Sequence, residues 1–241
     1  MATANRFRRK LRRSLWKRLD RLVHGDRYFM ADYLGARFMV RATNVIGREI
    51  SAGTYDLDQL DHMIAACARL RPTVFLDIGA NAGLYTCILL KRGLVPRAVA
   101  FEPDRRNAVH LRANLLVNDL TDRVDLREIA LGDSPGRLRL VPGPESNTGA
   151  SRLVAAGDEG YEVEVARFDD LLALAGETLA LKLDVEFHEP EALAGMPGLL
   201  HDNRGIAQIE SWDHRDTVIA TMQGHGWHLT AEFGPDLVFE K

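Results

Sequence analysis

Hydrophobic and polar positions change period several times along the 241-residue chain, and each change predicts an element. Phe7, Leu11, Leu15, Leu19 and Leu22 recur at roughly four-residue intervals, which gives one apolar face to an N-terminal helix within residues 1–25. From 28 to 50 the runs are short and strand-like, with Gly35 and Gly47 as turn points. Residues 56–72 read as a helix that Asp56 or Asp58 caps and Pro72 stops. Strands are then expected at 74–77, 98–102, 124–131, 179–184 and 206–210, and helices at 84–92, 105–118, 189–201 and 216–224. Residues 137–141 and 161–166 read as a hairpin-type insertion, and "WHLTAEFGPDLVFE" as two final strands about a Gly-Pro turn. Regular βα alternation predicts an α/β fold with a doubly wound parallel sheet. The last hairpin puts an antiparallel strand at or near one edge. Segment 26–72 is expected to pack on a core domain at 73–241.

Charge sharpens the division. Of 31 basic and 34 acidic residues, nine basic ones (Arg6, Arg8, Arg9, Lys10, Arg12, Arg13, Lys17, Arg18 and Arg21) lie in the arm against Asp20 alone. The remaining 22 basic and 33 acidic residues make the body acidic. A basic amphipathic helix suits an anionic membrane surface, here through residues 6–22, or docks its apolar stripe on the body. Nucleic acid is not expected as a partner, because the body is acidic and shows no recognition motif. No apolar run reaches the ~18 residues that span a bilayer, and no secretory signal is apparent. With only Cys67 and Cys87, both in expected helices, a disulfide framework is not predicted. A cytoplasmic protein, peripheral at the inner face of the membrane if the arm binds lipid, fits these features.

The stretch "TVFLDIGANAGLYTCILL" carries the chemistry. An apolar strand ends in Asp77, then opens on a loop with almost no side chains before an apolar helix. In a doubly wound sheet, ligands sit beyond the carboxyl ends of the strands, and Gly79 and Gly83 let a ligand approach the backbone. A dinucleotide site reads G-x-G-x-x-G; this loop reads D-x-G-x-x-x-G. That form suits S-adenosylmethionine better, a ligand without phosphate that carries a sulfonium and an ammonium. Glu102 closes the next strand in "AVAFEPD", 19 residues after Gly83, where an acid would bind a ribose diol.

These motifs resemble the FkbM family of S-adenosylmethionine-dependent methyltransferases. "FLDIGANAGLYT" and "VAFEPD" are similar to its cofactor motifs, and "LALKLDVEFHEPEALAG" to its later I-K-I-D-V-E-G-x-E block. "PESNTGAS" falls where the family often has an N-x-G-G-S-like stretch. The resemblance covers roughly residues 56–210. Two departures stand out: Phe187 replaces the family's usual glycine, and the 146–151 loop has one glycine rather than two. The resemblance implies a seven-stranded Rossmann-like methyltransferase sheet and methyl transfer, commonly to a hydroxyl of a sugar or polyketide-type product. It implies that Asp77, Gly79, Asn81 and Gly83 line the methionine part of the cofactor and that Glu102 binds the ribose. Asp133, in "ALGD", would accept from the adenine amino group, or else serve as a turn-former before Ser134. Ser146, Asn147 and Ser151 would face the substrate.

Methyl transfer to an alcohol is an in-line displacement that a general base assists. Asp184, Glu186 and His188 alternate after the fourth core strand, so His188 is a natural proton acceptor and either carboxylate can orient it or replace it. Glu210 and His214 follow the next strand at the same rim and would shape the acceptor pocket. Spacing alone fixes no metal site, and none is assigned. Trp212 and Trp227 suit either a sugar face or the core. Asn114 and Asn118 read as a polar helix face and C-cap; His201, His225 and His228 read as surface or packing residues.

The leading expectation is an S-adenosylmethionine-dependent O-methyltransferase acting on a sugar, glycan or related metabolite. An NAD-type oxidoreductase on a nucleotide-sugar, and a membrane-surface adaptor with an inactive methyltransferase fold, are the alternatives.

Overall fold

A computed structural model describes residues 22–155, 157 and 159–241. The basic stripe at 6–21 lies outside the described residues. Two short antiparallel strands come first, β1 (Tyr28–Tyr33) and β2 (Ala36–Arg41), turning at Gly35. The expected strand character beyond them gives way to a helix, α1 (Val45–Ala52). Asn44 starts it by accepting from the Gly47 N–H. Gly47 is therefore a helical residue rather than a turn. A Cβ there would lie 2.5 Å from the Arg41 carbonyl oxygen, so glycine lets α1 close against β2.

Helix α2 (Leu57–Leu70) follows; Asp56 precedes it in a left-handed conformation, and its side chain does not cap the helix. Then come β3 (Val74–Ile78), α3 (Leu84–Lys91), β4 (Ala98–Phe101), α4 (Arg105–Val117) and β5 (Val124–Arg127). The single strand expected at 124–131 is two, because β6 (Ala130–Leu131) leaves the main sheet for a smaller one with β7 (Gly136–Val141), β8 (Arg152–Val154) and β9 (Tyr161–Ala166). A short helix, α5 (Phe168–Leu171), leads to β10 (Thr178–Leu183). The helix expected at 189–201 is broken at Gly195 and Met196 into α6 (Glu189–Ala194) and α7 (Pro197–Asp202). Gly195 has backbone in the way: a Cβ would meet the Gly132 carbonyl oxygen at 2.0 Å. The chain ends with β11 (Arg204–Glu210), α8 (Arg215–Gly224), β12 (His228–Phe233) and β13 (Asp236–Glu240).

The main sheet has seven strands in the order β12-β13-β11-β10-β3-β4-β5. β13 alone runs opposite to the other six strands, and β12 forms one edge. Strand order runs outward from β3 through β4 to β5, then reverses from β10 through β11. That reversal leaves a crevice at the carboxyl ends of β3 and β10. Alternate side chains of these strands feed two cores. Phe75 and Ala180 join one with α2, α3 and α4, while Leu76, Ile78, Leu181 and Leu183 join the other with α6, α7 and α8. No helix among the described residues is long and apolar enough to cross a membrane. Cys67 and Cys87 are buried free thiols.

The N-terminal strands are tied on by side chains of α4. His110, Asn114 and Asn118 stand one turn apart on one face. Asn114 Oδ1 accepts from the Met39 N–H at 2.8 Å, and Asn118 Oδ1 from the Arg37 N–H at 2.9 Å. Asn118 Nδ2 donates to the Arg37 carbonyl, and His110 Nε2 is paired with that of Met39. Both amides are buried: Asn114 is not on the polar face expected of it, while Asn118 is the C-cap the sequence predicts. The helix serves as the partner strand that the outer edge of β2 lacks.

Candidate active site

The loop after β3 is built by contacts within the chain. Gly79 and Ala80 both donate their N–H to the Phe101 carbonyl, and the Asp184 N–H donates to the Ile78 carbonyl. Gly79 has φ +79°, and a Cβ there would lie 1.8 Å from the Asp184 carbonyl oxygen. Gly83, also left-handed, starts α3 against Leu111 of α4. Gly79 is required by the approach of neighbouring backbone, and Gly83 by its left-handed conformation at the start of α3. Asn81 carries φ +50° between them. Asp77 is buried and accepts from the Thr86 hydroxyl at 2.6 Å, pinning the strand to α3. Burial raises its pKa against the opposing pull of Lys182 and Thr86.

Glu102 ties the second strand to this loop. Its Oε2 accepts from the Asn81 N–H at 2.7 Å and its Oε1 from the Asp104 N–H at 2.8 Å. Burial pushes its pKa up to about 8 despite these bonds. Asp104 caps α4 and accepts from Arg106 and from the Ser151 hydroxyl at 2.7 Å. Ser151 also accepts from the Gly143 N–H, so its oxygen is committed to the 143–151 loop.

A cleft of about 480 Å³ opens above the reversal point. Strand order β11-β10-β3-β4 spreads its lining along the sheet, from Glu210 through Asp184 and Gly79 to Phe101. Phe101, Ile129, Leu131, Leu140 and Leu153 make one end apolar. Glu102, Asn107 and Asn147 stand in the middle beside Gly79 and Asn81. Asp184, Glu186 and Glu210 make the other end acidic, with Tyr55 reaching in from the N-terminal segment. Burial, then the neighbouring Asp184, raises Glu186 to about 7 and Glu210 to about 8. In the adjoining recess burial raises Asp56 to about 6.

Lys182 is the counterweight to these acids. It stands on β10 opposite Asp77 of β3, with Nζ 2.7 Å from Asp184 and 5.1 Å from the centre of the Tyr85 ring. Its pKa is raised: burial alone would lower it, and the surrounding acids, Asp184 first, outweigh that. Sequence reasoning missed Lys182, Tyr55 and Asn107. A lysine inside the otherwise apolar strand "LALKLD" was the available signal for the first.

Other expected site residues lie elsewhere. His188 does not line the cleft; its ring lies near Gly132 and its Nδ1 is 3.6 Å from Glu191. Glu186 and Phe187 explain this: both have positive φ, 48° and 73°, so strand alternation stops before His188. Asp133 is exposed and accepts from the Ser134 hydroxyl, while its neighbours Ala130 and Leu131 line the cleft. Ser146 is exposed, and its carbonyl accepts from the Val45 N–H. His214 precedes α8 outside the cleft lining, and Trp227 is fully buried. No cluster of metal-ligating side chains is present among the described residues.

The Methyltransferase FkbM domain family matches residues 77–226, more than half of the chain. The 31-O-demethyl-FK506 methyltransferase FkbM of Streptomyces tacrolimicus is 28% identical, over 69% of this chain and 77% of its own. The crystal structure of a methyltransferase FkbM from Methylobacillus flagellatus superposes with a TM-score of 0.53 at 18% identity. It covers 70% of this chain, which spans only 44% of that longer one.

Proposed function

The chain belongs to the FkbM methyltransferase family, and from that premise we propose that it uses S-adenosylmethionine to methylate a hydroxyl of a sugar, glycan or related metabolite. The grading of the cleft carries the reading. An apolar end suits adenine, Glu102 and Asn107 suit the ribose, and the acidic end suits a sulfonium and an ammonium. Carboxylates whose pKa is raised toward neutrality gain by ionising beside a bound cation. A dinucleotide would bring its pyrophosphate to the same loop without such a gain. Asn81 Oδ1, buried without a hydrogen-bond partner among the described residues, offers an acceptor to the methionine part. The Streptomyces relative is named for methylating 31-O-demethyl-FK506, which supports an oxygen acceptor.

Bound S-adenosylmethionine would supply an electrophilic methyl group. The residues of the chain would do the rest. Asp77 and Glu102 hold the loop in shape, and Glu102 turns its remaining lone pairs to the ribose. Glu186, near neutrality and at the cleft wall, accepts the proton of the attacking hydroxyl. Asp184, ion-paired with Lys182, orients the acceptor. His188 does not line the cleft, so the base is assigned to Glu186 rather than to the imidazole.

Mass spectrometry of the purified protein is expected to find S-adenosylhomocysteine, and calorimetry to show that it binds. Glu102→Ala should weaken that binding about tenfold or more, by the loss of charge-assisted hydrogen bonds. NADH binding without S-adenosylhomocysteine binding would overturn the reading.

A further inference from the structure

Two large aromatic side chains stand at the acidic end of the cleft, and neither is explained by packing. Phe187 is 46% exposed and Trp212 63% exposed, and both line the cleft. A lone exposed apolar residue needs no account; these two share further features. They extend from the carboxyl ends of adjacent strands, since Leu183 of β10 pairs with Ile209 of β11. Phe187 holds φ +73°, a conformation that costs a side-chain-bearing residue energy. Trp212 is steered by its own indole, whose Nε1 donates to Glu210 at 2.8 Å. The carboxylates of Glu186 and Glu210 therefore lie beside exposed aromatic surface.

We propose that Phe187 and Trp212 form an acceptor platform for a saturated, polyhydroxylated ring, a pyranose-type sugar. The proposal rests on the reading above and names the acceptor's class. The hydrocarbon face of such a ring covers the aromatic side chains. Its hydroxyl edge donates to Glu186 and Glu210, which accept hydrogen bonds that an apolar acceptor could not offer. One hydroxyl is thereby delivered to Glu186, the group assigned as base. An open-chain polyol has the hydroxyls without the rigid hydrocarbon face, so it would be bound less well.

The test is saturation-transfer NMR with methyl hexopyranosides and, as control, glucitol, in the presence of S-adenosylhomocysteine. The pyranosides are expected to receive saturation most strongly at the C–H protons of one ring face, and glucitol little. Phe187→Gly and Trp212→Ala should each reduce the signal about fivefold, in keeping with the strength of aromatic contacts, at unchanged S-adenosylhomocysteine affinity. Absence of signal from every pyranoside, equal signal from glucitol, or full signal in both variants would overturn the platform. Calorimetry separates the two proposals: loss of S-adenosylhomocysteine binding in the wild-type protein removes the methyl-transfer reading, whereas the pyranoside signal reports on the platform alone.

Discussion

The Lys182 ammonium lies 2.7 Å from the Asp184 carboxylate, two residues further along the same strand end. The pair sits between Asp77, buried behind it, and the acidic end of the cleft. One cation thus serves several acids. Lys182→Met would leave Asp77 and Asp184 without it and should cost about 3 kcal/mol of stability, the scale for breaking a buried ion pair. Asp77, whose pKa burial raises and Lys182 lowers, would then take up a proton more readily in the folded state. The loss should therefore shrink as pH falls from about 8 towards 5. Urea denaturation at the two pH values checks this, and a pH-independent loss would show that Lys182 matters only for packing.

Glu186 has a folded pKa of about 7, above the ordinary carboxylate value near 4.3. Between those values the folded state binds more protons than the unfolded state, so its contribution to stability is full below about 4.3 and is lost as pH rises through 7. Glu186→Gln should consequently be more stable than wild type at pH 8.5 and no more stable at pH 4. Its methyl-transfer rate should be low and lack the rise through pH 7 expected of the wild type. Parallel denaturation curves and a pH–rate profile measure both, and an unchanged profile would remove Glu186 as the base.

Phe187→Gly should retain stability or gain about 0.5–1 kcal/mol, since glycine takes the left-handed conformation without the Cβ penalty and loses some of that gain to its unfolded-state entropy. Thermal melts test it. A loss above about 1 kcal/mol would make Phe187 a packing residue and weaken its assignment to acceptor binding.

Strong local patterns were legible in the sequence. The β3–loop–α3 unit and the acid closing β4 could be read because an apolar strand, a side-chain-poor loop and an apolar helix leave little choice of backbone. The alternation of β and α gave the sheet, and the final hairpin its antiparallel strand. What escaped depends on contacts distant in sequence. Val45–Ala52 is eight residues long with a glycine near its start, so its pattern resembles strands and a turn; the approach to β2 makes it a helix. Asn114 looks like a solvated polar position, and Asn118 like a C-cap and nothing more, until the edge of β2 arrives beside them. A two-residue period groups His188 with Asp184 and Glu186, but the strand ends at Leu183 and the left-handed Glu186 and Phe187 break that period. The match to the FkbM family agrees with the resemblance of the motifs, and the sheet with the fold it implied.

The N-terminal segment also sets a boundary on how this protein can be divided. Ile46 and Tyr55 form part of the cleft wall but precede the family-matched residues. Val45 and Asn44 bond the backbone of the 143–151 loop, at Ser146 and Glu145. A fragment trimmed to the shared family region would lose most of β3, all of β12 and β13, and one flank of the cleft. Those bonds fasten the N-terminal flank to the 143–151 loop, so the two sides of the cleft form one connected wall built from residues a hundred positions apart.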